Sequence, residues 1–134
     1  MSGPVKGTTE MGKRPLIAIV EDDDVLRTAI DQLMRSCGYA TSGHNCTEDF
    51  LSSGAVNQAR CVITDIQMPG MDGVELKQRL DKTTPGTPVI MITARAEEHV
   101  LERALANRPW CLLRKPFEPD ALVDCVNRAL EQEP

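Results

Sequence analysis

Aromatic side chains are nearly missing from this chain, which has two Phe, one Tyr and one Trp in 134 residues. That scarcity argues against a site that sandwiches a flat flavin between rings. Histidine is as sparse, with two residues, and the five cysteines (Cys37, Cys46, Cys61, Cys111, Cys125) are odd in number, scattered, and form no CxxC pair. Such a pattern supports neither a disulfide framework nor a zinc site, and His44 beside Cys46 reads as a polar loop. There is no basic excess, since the net charge is −5, and so no direct contact with nucleic acid is expected. No apolar stretch is long enough to span a bilayer, and the N-terminus has no apolar signal-peptide core. The expected location is the cytoplasm, away from membranes, and the length suits one domain with a sizeable core.

What the chain does have is a repeated alternation of short apolar runs and helical spacing. Residues 1–14 are rich in Gly, Thr and Lys without periodicity and read as a flexible leader, so the folded domain is expected over 15–132. Leu16 to Val20 is an uninterrupted apolar run, suited to a strand buried on both faces. It ends in Glu21-Asp22-Asp23-Asp24, after which Val25, Leu26, Ala29, Ile30, Leu33 and Met34 recur at helical spacing until Gly38. Tyr39 to Ser42 follows as a weak edge strand, and Thr47 to about Val56 as a helix capped by Thr47. Cys61 to Thr64, Val89 to Ile92 and Trp110 to Leu113 are further strands. Gly73 to Leu80, Glu97 to Ala106 and Pro119 to Leu130 are further helices. Five strands alternating with five helices predict a flavodoxin-like (βα)5 three-layer sandwich, with a parallel sheet of order 2-1-3-4-5.

That order brings the carboxyl ends of strands 1, 3, 4 and 5 together, and each carries a reactive side chain. Glu21 and Asp22 follow the first strand, Asp65 the third, Thr93 the fourth and Lys115 the fifth. Taken singly, Asp22, Asp65 and Thr93 could each cap a helix and Lys115 could be solvated. Their coincidence at the ligand-binding end of the sheet favours a joint role. Three carboxylates together repel unless a cation joins them, and hard oxygen ligands with room for water favour Mg²⁺. Lys115 can hold a phosphoryl oxygen as a point charge and the Thr93 hydroxyl can donate to another. An Asp nucleophile, a metal and a cation describe phosphoryl transfer to a carboxylate.

From about Leu16 to Leu130 the chain resembles the receiver domain of bacterial two-component response regulators. The resemblance rests on Ile19-Val20-Glu21-Asp22-Asp23, Asp65-Ile66-Gln67-Met68-Pro69-Gly70-Met71-Asp72-Gly73, Ile92-Thr93-Ala94 and Lys115-Pro116-Phe117. It implies that Asp65 accepts phosphate from the phosphohistidine of a sensor histidine kinase or phosphotransfer protein. Mg²⁺, with Mn²⁺ as a substitute, would be held by Asp22, Asp65 and the backbone carbonyl of Gln67, with Glu21 acting through water. Thr93 would be the switch hydroxyl, Ala94 the small residue that leaves the site open, Lys115 the phosphoryl clamp, and Lys115-Pro116 a cis bond. Gln67 and Arg95 occupy positions that tune how water reaches the acyl phosphate. The output would pass to an effector protein or output domain, homodimers are compatible with it, and the only catalysis would be self-phosphorylation and dephosphorylation. Since only Glu131 to Pro134 follow Leu130, the chain is expected either to act alone or to be the receiver portion of a longer regulator.

Two departures stand out. Leu112 occupies the place where the family has Tyr or Phe, and Asn107-Arg108-Pro109-Trp110 replaces a turn of small residues. Trp110 reads as packing ahead of partner anchor. Among rivals, a phosphohydrolase of the haloacid dehalogenase type needs a second Asp where this chain has Gln67. A flavin carrier needs a phosphate-cradling first turn, which here is acidic. A receiver-like module that binds partners without phosphate would not need the complete set of site residues.

Overall fold

In the computed structural model, which describes residues 14–95 and 97–131, the short apolar runs become one parallel sheet. Its strands are β1 (Leu16–Val20), β2 (Ala40–His44), β3 (Ala59–Asp65), β4 (Val89–Thr93) and β5 (Cys111–Arg114), ordered β2-β1-β3-β4-β5. Between and after them run α1 (Asp24–Ser36), α2 (Thr47–Ser52), α3 (Gly73–Thr83), α4 (Glu98–Ala106) and α5 (Pro119–Glu131). This is the expected three-layer, flavodoxin-like architecture. The expected leader lies outside the described residues except for Arg14.

Side chains on successive strand residues point to opposite faces, and the central strands carry apolar residues on both faces, so they feed two cores at once. Ile17, Ile19, Cys61, Ile63, Ile90 and Ile92 face the layer where α1 contributes Ile30 and Met34 and α5 contributes Leu122, Cys125, Val126 and Ala129. Ala18, Val20, Val62, Val89 and Met91 face the other layer, filled by Phe50 of α2, Val74, Leu76 and Leu80 of α3, and Ala104 of α4. Leu112 packs against this second core, while its neighbours Cys111 and Leu113 pack against the first. The strand ends are therefore held in a rigid frame.

Three local expectations are corrected. The edge strand runs to His44 rather than stopping at Ser42, because its backbone pairs with β1 along the whole of Ala40–His44. His44 is accordingly buried, with Nδ1 at 2.7 Å from Asp49 and Nε2 at 2.7 Å from Ser42. Second, α2 stops at Ser52, and a separate 3-10 turn, Gly54–Asn57, follows because the Ser53 hydroxyl accepts from the Ala55 N–H. The cap of α2 is Cys46, whose sulfur accepts from the Asp49 N–H, and Thr47 lies inside the helix. Third, Cys111 and Cys125 are joined in a disulfide that the odd, scattered cysteine count did not suggest. One cysteine lies on β5 and one on α5, and tertiary packing alone brings them together.

Candidate functional site

Backbone geometry delivers the reactive groups to one spot. Asp65 is the last residue of β3, lying opposite Ile92 of β4, and the Ile66 N–H donates to the Ile92 carbonyl at 2.9 Å. The Lys115 N–H donates to the Thr93 carbonyl at 2.8 Å, which sets the end of β5 beside that of β4. On the other side, Glu21 is fixed twice: its carboxylate accepts from the Asp23 N–H at 3.0 Å and its carbonyl from Arg27 Nη1 at 2.8 Å. Asp23 in turn caps α1 by accepting from the Val25 and Leu26 N–H groups.

The loop after Asp65 closes tightly. Gly73 opens α3 with its N–H donating to the Ile66 carbonyl at 2.9 Å, and a Cβ there would lie 2.3 Å from the Asp65 carbonyl oxygen. Only glycine lets the helix start so close to the strand end. Asp72 and Glu75 form a reciprocal capping box at the same place, and Glu48 of α2 accepts from the Met71 N–H at 3.1 Å.

At the centre, Lys115 Nζ sits 3.1 Å from Asp65 Oδ2 and 3.4 Å from Glu21 Oε1. Asp65 and Glu21 are both buried, at 6% and 1% exposure. Burial pushes the Glu21 carboxyl up to about 7, and the Asp65 charge adds to the rise against the pull of Lys115 and the Asp23 N–H. Burial works against the Lys115 ammonium, but its hydrogen bond to Asp65 and the two carboxylate charges outweigh this and raise it. Among the described residues, neither the buried Asp65 Oδ1 nor Glu21 Oε1 has a hydrogen-bond partner, although Lys115 Nζ lies 3.4 Å from the latter. Ligand oxygens of Glu21, Asp22 and Asp65 all lie within 4.8 Å of one another. An orphaned buried carboxylate oxygen beside two further carboxylates, one of them the exposed Asp22, fits a hard divalent cation such as Mg²⁺.

The Thr93 hydroxyl donates to Gln67 Oε1 at 2.9 Å and accepts from the Arg95 N–H at 2.9 Å. Ala94 is exposed beside it, Arg95 Nη1 lies 3.5 Å from Glu97, and the Lys115-Pro116 peptide is cis. Sequence reasoning named these residues without their side-chain couplings. It also missed Arg103, whose guanidinium reaches the capping Asp72 at 2.8 Å and ties α4 to the loop after Asp65. The two residues are 31 positions apart, so no local pattern could reveal the contact. Trp110 is 37% exposed, with its indole N–H donating to the Cys125 carbonyl at 3.0 Å.

Comparison with known proteins agrees with this geometry. The family model described as "Response regulator receiver domain" matches residues 17–127. The C4-dicarboxylate transport transcriptional regulatory protein DctD of Pseudomonas aeruginosa is 32% identical over 86% of this chain and 25% of its own length. Its namesake from Rhizobium meliloti is 30% identical over 91% of this chain and 26% of its own. The chain thus spans about a quarter of these relatives. Among solved structures, a putative response regulator from Chloroflexus aurantiacus J-10-fl superposes with a TM-score of 0.82 at 29% identity, covering 90% of this chain and all (100%) of that one.

Proposed function

The chain belongs to the response regulator receiver family, and from that membership and the site we propose that it is a phosphorylation-controlled switch whose phosphoacceptor is Asp65. The observation that carries the reading is the state of the Asp65 carboxylate. It is buried at a strand end, with Oδ2 on Lys115 and Oδ1 unpaired among the described residues, which leaves a nucleophile oriented but not quenched. The receiver runs over 15–132.

In the proposed reaction, an Asp65 oxygen attacks the phosphorus of a phosphohistidine on a sensor kinase or phosphotransfer protein. The O–P bond forms as the P–N bond breaks, and the electron pair leaves with the imidazole. Asp22, Asp65 and the Gln67 carbonyl would hold Mg²⁺, with Glu21 through water, and the ion supplies positive charge against which carboxylates and phosphoryl oxygens can approach. Lys115 follows Asp65 Oδ2 to a phosphoryl oxygen and keeps its ion pair with Glu21. Thr93 exchanges Gln67 Oε1 for another phosphoryl oxygen. Gln67 and Arg95 then flank the acyl phosphate and slow the entry of water, while the exposed Ala94 leaves the approach open. The protein catalyses only its own phosphorylation and dephosphorylation.

A groove of about 850 Å³ is lined by Leu26, Ala29, Leu33, Lys115 and Phe117. Its apolar lining beside the nucleophile suits a helix of the donor, which must bring its histidine to Asp65. The output passes to an effector protein or output domain.

Intact mass after incubation with acetyl phosphate tests the proposal. The expected result is a gain of one phosphoryl group that requires Mg²⁺, vanishes in Asp65→Asn, and persists with a shorter lifetime in Gln67→Ala. A folded chain that gains no mass would remove phosphorylation from the account.

A further inference from the structure

The seam between β5 and α5 contains a feature that the phosphoacceptor site does not use. Cys111, the first residue of β5, and Cys125, in the middle of α5, are bonded across 14 residues of sequence, with Cα atoms 6.4 Å apart. That separation lies within the range a disulfide spans without backbone movement. The remaining cysteines differ in kind: Cys37 is exposed, Cys46 half-buried, and Cys61 buried, with burial pushing the Cys61 thiol up to about 12. Cys111 is half-buried, so an oxidant can reach one member of the pair while Cys125 sits beneath it.

We propose that Cys111 and Cys125 form a reversible thiol–disulfide couple that responds to peroxide and governs the freedom of the loop carrying Lys115. The Cys111 thiolate attacks one oxygen of hydrogen peroxide, giving a sulfenic acid and hydroxide, which takes up the thiol proton as water. Cys125 then displaces the sulfenic oxygen as a second water and the S–S bond forms. Two thiols are oxidised, one peroxide is reduced to two waters, and a dithiol reductant reverses the change. In a reducing compartment such a bridge is transient, which suits a sensor.

The position of the bridge gives it a consequence. The closed loop contains Arg114, Lys115, Pro116, Phe117 and Pro119, and Lys115 is the cation on Asp65. Closing that loop removes conformations from it when the seam opens. Trp110 is bonded to the Cys125 carbonyl and is the only tryptophan in the sequence, so its fluorescence reports the state of the seam.

The test needs no phosphate, so its failure is distinguishable from failure of the phosphoacceptor reading. The full chain is treated with hydrogen peroxide, or with a dithiol reductant, then denatured and alkylated. The expected result is five alkylated cysteines after reduction and three after oxidation, given the five in the sequence, with Cys111 and Cys125 recovered as one linked peptide. Oxidation should also quench Trp110 and slow amide hydrogen exchange over residues 112–118 by about tenfold. A Cys37→Ser/Cys46→Ser double variant should give two fewer alkylated cysteines in each state, with the same linked peptide and the same response of Trp110 and residues 112–118. Cys125→Ala should lose the response, and Cys111→Ser, at a half-buried position, covers the case where Cys125→Ala fails to fold. Five reactive thiols after oxidation, a bridge to any other cysteine, or a correct bridge that leaves the exchange of 112–118 unchanged would each overturn the proposal.

Discussion

The last two helices carry similar apolar repeats, yet they are seated very differently. Helix α5 places Leu122, Cys125, Val126 and Ala129 in the core, while α4 places only Ala104 there and leaves Leu105 57% exposed. α4 also begins without a side-chain cap. What fixes it in place includes two polar contacts to α3 and its cap, Arg103 to Asp72 at 2.8 Å and Gln78 to Asn107 at 3.2 Å. The two helices flank opposite sides of the site. α5 follows Lys115 and α4 follows Thr93, so apolar burial holds the helix after Lys115 while exchangeable hydrogen bonds hold the Thr93 hydroxyl. A phosphoryl group carries oxygens that compete for hydrogen-bond donors, and it can rearrange the second kind of contact at far lower cost than the first.

The largest expected effect breaks the anchored side. Leu122→Ala should lower unfolding free energy in urea by about 2–5 kcal/mol, whereas Leu101→Ala on α4, half-buried, should cost less than half as much. Equal costs would erase the contrast between the flanks. Next is the electrostatic cost of the anchored side. The Glu21 carboxyl is raised from 4.5 to about 7 when folded, so the folded chain holds a proton that the unfolded chain has lost. Stability without Mg²⁺ should therefore fall as pH rises through that window, by at most about 3 kcal/mol. Glu21→Gln should flatten the decline, and Mg²⁺ should reduce it by balancing the charge. The smallest effect sharpens the mobile side. Arg103→Ala removes a half-exposed ion pair and should cost under about 1 kcal/mol globally, while speeding amide exchange in α4 by up to about fivefold. An equal acceleration in α5 would show that α4 is not held separately.

The sequence made the frame legible where burial is complete. β1, β3 and β4 are apolar on both faces, so their runs survive any local ambiguity, and the turn residues after them locate the reactive groups. β2 was less legible because an edge strand can carry Thr41, Ser42, Gly43 and His44 and still pair along one side with β1. The cap at Cys46 was hidden because sulfur is a weak acceptor rarely read as a helix start. For the site, positions were readable and couplings were not. The Thr93–Gln67 contact spans 26 residues, the Lys115–Asp65 contact 50, and the Arg103–Asp72 contact 31, and only the assembled sheet sets their distances. The Cys111–Cys125 bridge belongs with them.

In the proposed switch, chemistry at Asp65 is read out through the Thr93 side of the molecule. Hydrogen–deuterium exchange with Mg²⁺, with and without beryllium fluoride as a tetrahedral mimic of the phosphoryl group, tests it directly. The expected result is a severalfold change in exchange over α4 and the loop after Thr93, with α5 unchanged, and no change anywhere in Asp65→Asn. Exchange that shifts in α5 while α4 stays constant would contradict it.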